Sequence, residues 1–223
     1  MREHLLAIYR RLLETYGRQH WWPGQSPLEV IVGAILTQAV AWTNVEQAIA
    51  SLKKAGLMDL KCLVDAPLEQ IAQQIRPCLY YNEKAKKLKT FLCFLAEHYE
   101  GDLSSLLSLP VPCLRKELLS VRGIGEETAD AIILYAAGKP SFVADAYTRR
   151  ILSRLGLIED RAAYGEIRTM FMTHLPSEAA LYNEYHALLV RHAKEHCRSR
   201  EPICDGCPLR EKCRTLLSGR AET

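Results

Sequence analysis

Three groups of residues have the types and spacing to do chemistry. The first is Val121-Arg122-Gly123-Ile124-Gly125-Glu126-Glu127-Thr128-Ala129. Two glycines bracket Ile124, so the backbone can turn tightly at positive φ and present N–H groups at the start of a helix, a geometry able to grip a phosphate. Read alone, Gly-x-Gly between helices is also a common tight connector. The second is Asp145, twenty residues beyond Gly125 in Val143-Ala144-Asp145-Ala146-Tyr147. An isolated carboxylate there either caps the helix that follows or places negative charge beside a reacting centre, and the roles can coexist. The third is Cys197-x6-Cys204-x2-Cys207-x5-Cys213, four soft ligands within seventeen residues. That set reads as a metal site, and its spacing leaves zinc and an iron–sulfur cluster both open.

The elements that must position these groups read as all-α, because no stretch alternates apolar and polar residues as a strand would. Val111, Leu114, Leu118 and Val121 before the glycines, and Ala129, Ile132, Ile133 and Ala136 after them, repeat at helical spacing, which predicts a helix-hairpin-helix over about 111–137. An opening helix ends at Tyr16. Ser26-Pro27-Leu28-Glu29 predicts a capped, buried helix, and Thr43-Asn44-Val45-Glu46 a second capping box. Further helices are expected from Pro67 to about Ile75 and from Tyr80-Tyr81-Asn82 onward, the latter carrying Lys84, Lys86, Lys87 and Lys89 mostly on a solvated face. Asp145 starts a helix through Leu155, and two more run over roughly 161–174 and 177–196.

The 223 residues are enough for one large domain or two modest ones, and the formal net charge of +3 is too small to require a polyanionic partner. The excess is local: between Arg191 and Arg214 seven basic residues face four acids. The start of the chain has no signal-peptide pattern and no segment approaches the roughly 20 apolar residues of a membrane span, so a cytoplasmic protein with reduced thiols is expected. Cys62, Cys78, Cys93 and Cys113 are scattered and read as packing thiols. Trp21, Trp22, Trp42, Tyr80 and Tyr81 are candidates for an aromatic pocket, at least two of them for packing instead.

The order Gly123-Ile124-Gly125, Thr128-Ala129 and Asp145 resembles the hairpin and catalytic Asp of the endonuclease III superfamily of DNA glycosylases. The cysteine spacing is similar to the [4Fe–4S] loop that closes many of its members. Trp21-Trp22-Pro23, Leu36-Thr37-Gln38 with Trp42 four residues on, and Tyr81-Asn82-x-Lys84-Ala85-Lys86 resemble its 3-methyladenine glycosylase branch, whose nearest members lack the cluster. The resemblance implies a two-lobed fold: a barrel-like helical domain over 25–137, and a second domain of 1–24 with 138–223 that carries the cluster loop 197–213, Asp145 lying in the cleft between. It implies double-stranded DNA with a damaged base as partner, bound by a protein expected to be a monomer.

Residue by residue, it implies Asp145 as the catalytic group. Gly123, Ile124, Gly125 and Thr128 fall to the DNA-gripping hairpin, and Gln38 to the gap left by a flipped nucleotide. Cys197, Cys204, Cys207 and Cys213 fall to a structural cluster, with Arg210 and Lys212 on phosphates. Where bifunctional relatives carry a nucleophilic lysine, this chain has Glu127, which either complements the helix dipole or assists in the pocket. The expected activity is hydrolysis of an N-glycosidic bond without strand scission, on alkylated purines such as 3-methyladenine. Rival expectations are a glycosylase with abasic-site lyase activity on oxidised pyrimidines, a mismatch glycosylase, and a non-catalytic protein that binds damaged DNA.

Overall fold

The computed structural model describes residues 1–217, which are helical throughout their regular structure and contain no strand. Two compact units result: Met1–Trp21 with the chain from Pro140 onward, and Trp22–Lys139. The opening helix α1 (Arg2–Tyr16) belongs to the first.

The second unit is built on α2 (Pro27–Leu36), buried from Leu28 to Leu36. Ser26 is extended and its side chain accepts from the Glu29 N–H at 3.2 Å, with Pro27 at the first helical position. The box is half formed, because the Glu29 carboxylate takes the Gln25 N–H and pairs with Lys53 at 2.9 Å. Ile31, Ile35 and Leu36 are fully buried, each stabilising by about 1.5–3 kcal/mol. The second predicted capping box is corrected. Ala39 turns at φ 53°, Ala41 is extended, and α3 (Trp42–Lys54) has begun before Thr43, which therefore caps nothing.

The helices α4 (Leu60–Asp65), α5 (Leu68–Gln74), α6 (Tyr81–Tyr99) and α7 (Leu103–Ser108) follow. The sequence reading lacked α4 and α7, six-residue helices capped by Asp59 and Asp102. The solvated lysine face of α6 is also corrected. Lys84 is buried and donates to the Leu36 carbonyl at 2.8 Å, Lys87 to Gln38, and Lys89 to the Val64 carbonyl at 2.6 Å. Only Lys86 keeps to the surface, against Glu83. Then α8 (Val111–Ser120) and α9 (Glu126–Ala131) form the hairpin, and α9 widens into a π turn over Ile132–Ala136 that packs against α2.

In the first unit, α10 (Ala146–Arg154) and α1 pack on α12 (Ala179–Glu195), and α11 (Tyr164–His174) lies against α1. Its centre is aromatic: Phe142 stacks on Phe171 at 3.7 Å, and Tyr182 and Tyr185 meet Phe142 edge-on. The buried Tyr185 hydroxyl donates to the Leu5 carbonyl at 2.8 Å, which ties α1 to this core. A one-turn helix α13 (Arg214–Leu217) ends the described chain. Among the described residues no helix is long and apolar enough to cross a membrane.

Candidate active site and its supporting loops

The hairpin turn is held by its own unit. Leu114 and Leu118 bury one face of α8, Ile124 is 5% exposed and plugs the turn, and its N–H closes onto the Val121 carbonyl at 3.0 Å. The two glycines do different work, which corrects the expectation that both turn at positive φ. Gly123 sits at φ 99°, and a β-carbon there would lie 2.6 Å from Lys87 Cγ. Gly125 is extended at φ −92°, and a β-carbon there would meet nothing within 4 Å. Conformation requires the first, and open space surrounds the second.

Gln38 is engaged with the hairpin. Its Nε2 donates to the Gly123 carbonyl at 3.2 Å and to Thr128 Oγ1 at 3.0 Å, while its Oε1 accepts from Lys87 Nζ. Gln38, Lys87 and Gly123 to Thr128 line one open hollow, into which the exposed Glu127 also faces. Arg115 bonds Glu126 at 2.9 Å and Asp130 at 3.0 Å, joining α8 to α9.

Asp145 caps α10, with Oδ1 accepting the Thr148 N–H at 2.8 Å. Its Oδ2 lies 3.4 Å from His186 Nε2 on α12. Burial pushes the carboxyl pKa up, but His186 and the Thr148 N–H outweigh it and hold Asp145 below the usual Asp value, so it is ionised at neutral pH. His186 was not singled out from sequence; its position beside Tyr182, Tyr185 and Leu189 on an apolar helix reads as packing.

Of the five aromatics, Trp22 and Trp42 are brought together within the second unit. Trp22 meets Trp42 edge-on and Tyr135 at an angle, both at 5.0 Å, and Trp22 and Trp42 share a concavity with Glu29, Glu46 and Lys53. Trp21, in the other unit, stacks on His186 at 5.6 Å and 13°. Tyr80 is 69% exposed at φ 56°, and Arg76 lies over the Tyr81 ring; neither tyrosine lines the Trp22–Trp42 concavity. Lys139, the lysine nearest the hairpin's end, donates to the Leu107 and Leu109 carbonyls at the end of α7.

Cys197, Cys204, Cys207 and Cys213 line a common cavity of roughly 140 Å³ in the first unit. Four thiolates would bind a cationic centre, and a neighbouring guanidinium offsets their negative charge. Arg154 Nη1 reaches Cys197 Sγ at 3.2 Å, Cys213 Sγ lies 3.7 Å from the Arg154 carbonyl, and His192 Nε2 stands 3.9 Å from Cys207 Sγ. Burial raises the Cys207 thiol, and the three other cysteines add to the rise. Burial lowers His192 to about 4, leaving it neutral. Among the described residues no three His, Cys, Asp or Glu side chains are gathered as a single metal ion would gather them. Arg210 is paired with Asp205 at 2.9 Å, and Lys212 is exposed.

Comparison with known proteins gives the family. Residues 32–177 match the family model described as HhH-GPD superfamily base excision DNA repair protein. A Methanocaldococcus jannaschii protein with the provisional name DNA repair glycosylase is 45% identical over 95% of this chain and 96% of its own length. Endonuclease III of Sulfolobus acidocaldarius is 34% identical over 68% of this chain and 65% of its own. Among solved structures, a trapped endonuclease III–DNA covalent intermediate superposes with a TM-score of 0.84 at 21% identity, covering 99% of each chain. The H. pylori 3-methyladenine DNA glycosylase bound to 1,N6-ethenoadenine gives 0.74 at 28% identity, covering 87% of this chain and 97% of that one. The chain thus belongs to the HhH-GPD superfamily of base excision DNA repair proteins and is an enzyme of the DNA glycosylase class.

Proposed function

We propose that this glycosylase is monofunctional, with water as nucleophile and Asp145 as the group beneath the sugar. The observation that carries this is the buried, ionised Asp145, with Oδ1 held by the Thr148 N–H and Oδ2 lying 3.4 Å from His186 Nε2. Base excision requires the target nucleotide to leave the stack, after which the bond from C1′ to the base breaks and the sugar becomes cation-like. The Asp145 carboxylate stabilises that charge and orients a water, whose oxygen bonds to C1′ while its proton passes to the carboxylate. Glu127 stands where lyase relatives place a lysine, and a carboxylate forms no imine. Lys139 is held by two backbone carbonyls and is a poor substitute.

For substrate, the reading favours alkylated purines such as 3-methyladenine. A cationic base leaves neutral without acid catalysis, and Trp22 and Trp42 offer electron-rich faces for it. Gly123, Gly125, Arg210 and Lys212 are assigned to phosphates, and Gln38 to bracing the hairpin that presents them. The four tail cysteines are assigned to a [4Fe–4S] cluster, which they would hold as a structural tie of the loop, away from bond breaking. Four cysteines lining one cavity fit such a cluster as a donor set, and among the described residues no three of them are gathered as a single metal ion would need.

The test is incubation with methylated, oxidised and deaminated duplexes, identification of the released base, and borohydride added during turnover. Release of a methylated purine, intact strands until alkali, and no trapped protein–DNA complex are expected. Efficient trapping overturns the monofunctional reading, and release confined to oxidised pyrimidines or to a mismatched base overturns the substrate.

A further inference from the structure

One buried ionisable group stands directly beside the Asp145 carboxylate. His186 is 5% exposed on α12, its Nε2 lies 3.4 Å from Asp145 Oδ2, and Trp21 stacks on the imidazole face, nearly parallel. A carboxylate with one oxygen held by a backbone N–H can still swing its other oxygen. Here His186 Nε2 stands 3.4 Å from the second oxygen, at the outer edge of hydrogen-bond reach, and its ring is stacked against an indole. The 3.4 Å separation is long for a hydrogen bond, as expected where catalytic contacts tighten only with substrate bound.

We propose that His186 is a positioning residue for the glycosylase reaction, holding Asp145 Oδ2 through Nε2 while Trp21 fixes the plane of the imidazole. The inference rests on the assignment of Asp145 as the catalytic carboxylate. With Oδ1 on the Thr148 N–H and Oδ2 on His186, the carboxylate plane is set at both ends, so its charge reaches the developing cation from one direction. His186 itself touches neither sugar nor base in this scheme. Its whole effect passes through Asp145.

A double-mutant cycle tests this, using whichever methylated, oxidised or deaminated duplex loses its base fastest. Single-turnover rate and duplex affinity are measured for the full-length protein and for His186→Ala, His186→Gln, Asp145→Asn and the double variant His186→Ala/Asp145→Asn. His186→Ala should slow base release roughly ten- to a hundredfold, the scale of losing a hydrogen bond to a charged group, with duplex affinity unchanged. His186→Gln, which keeps a side-chain N–H donor, should recover most of the rate. In the Asp145→Asn background, His186→Ala should have no further effect, because the group it acts through is gone.

Outcomes separate the two levels. If Asp145→Asn keeps near-normal turnover, the catalytic assignment fails and the role of His186 with it. If Asp145→Asn is inactive but His186→Ala is as fast as the unaltered protein, only the positioning role fails. A structural role would lower the melting temperature and slow the rate equally in both backgrounds, without rescue by Gln, and that result also overturns the proposal.

Discussion

The hairpin turn and the cysteine tail are both short loops proposed to hold a ligand, yet they are held in opposite ways. Around the hairpin, Ile124 and Leu118 are buried, Gly123 takes the positive φ, and Gln38, Thr128 and Lys87 satisfy one another and the turn's carbonyl. Along 197–217 the only buried residue is Leu209, and the loop is attached mainly by guanidinium contacts from Arg150 and Arg154. A loop with one apolar anchor buries too little surface to offset the entropy of ordering it. The first loop is preorganised by packing; the second has little packing of its own, and the proposed cluster would supply the missing constraint.

The largest effect should fall on the tail. Cys204→Ser is expected to abolish iron incorporation and the broad visible absorbance of a thiolate-ligated cluster, and to open the tail to proteolysis while fragments of Trp22–Lys139 stay protected. Colourless unaltered protein carrying one zinc would remove the cluster from the comparison altogether. Next come the two glycines. Gly123→Ala should destabilise the protein by about 2–3 kcal/mol, combining left-handed strain with displacement of the Lys87 stem. Gly125→Ala should leave stability within about 0.5 kcal/mol and weaken binding to any duplex, damaged or not. Equal melting temperatures for both variants would refute the division of labour.

Gln38→Ala removes two donations and leaves the Gly123 carbonyl and Lys87 short of partners, so a loss of about 1–2 kcal/mol is expected by denaturant titration. A loss of DNA affinity at unchanged stability would instead make Gln38 a direct DNA contact. The smallest effect concerns Asp145. Its folded pKa lies below the ordinary Asp value of about 3.9, so its ionisation stabilises the fold above that value and the contribution is lost as pH falls through the folded pKa. The stability difference between the unaltered protein and Asp145→Asn should be flat near neutrality and shrink below about pH 4. A difference that grows on acidification contradicts the lowered pKa.

The hairpin, the long helices and the cap at Asp145 were legible because each follows from local spacing. The stripe Lys84, Ala85, Leu88, Phe91, Leu92 and Leu95 was also present in the sequence, and reading Lys84 by position on it rather than by charge places it inward, on the Leu36 carbonyl. The two six-residue helices carry less than two turns of pattern, too little for periodicity to register. Thr43 failed as a cap because the backbone at Ala41, not the side chain, decides where α3 begins. His186 and Trp21 lie 165 residues apart, and no local signal joins residues that only tertiary packing brings together.

Arg154 changes the polymer statistics of the tail. Its guanidinium holds Cys197 Sγ with the Arg198 and Ser199 carbonyls, and its own carbonyl faces Cys213 Sγ. One residue at the end of α10 thus holds the first and last cysteines, closing a ring of seventeen residues whose closure costs about 2.5 kcal/mol for a flexible chain. The end cysteines then need not find each other by diffusion of a free coil. On the proposed cluster assignment, iron reaching the loop would meet them at the high effective concentration of a tethered pair, so assembly is expected to depend on Arg154 kinetically, slowing in Arg154→Ala even where the finished site is equally stable.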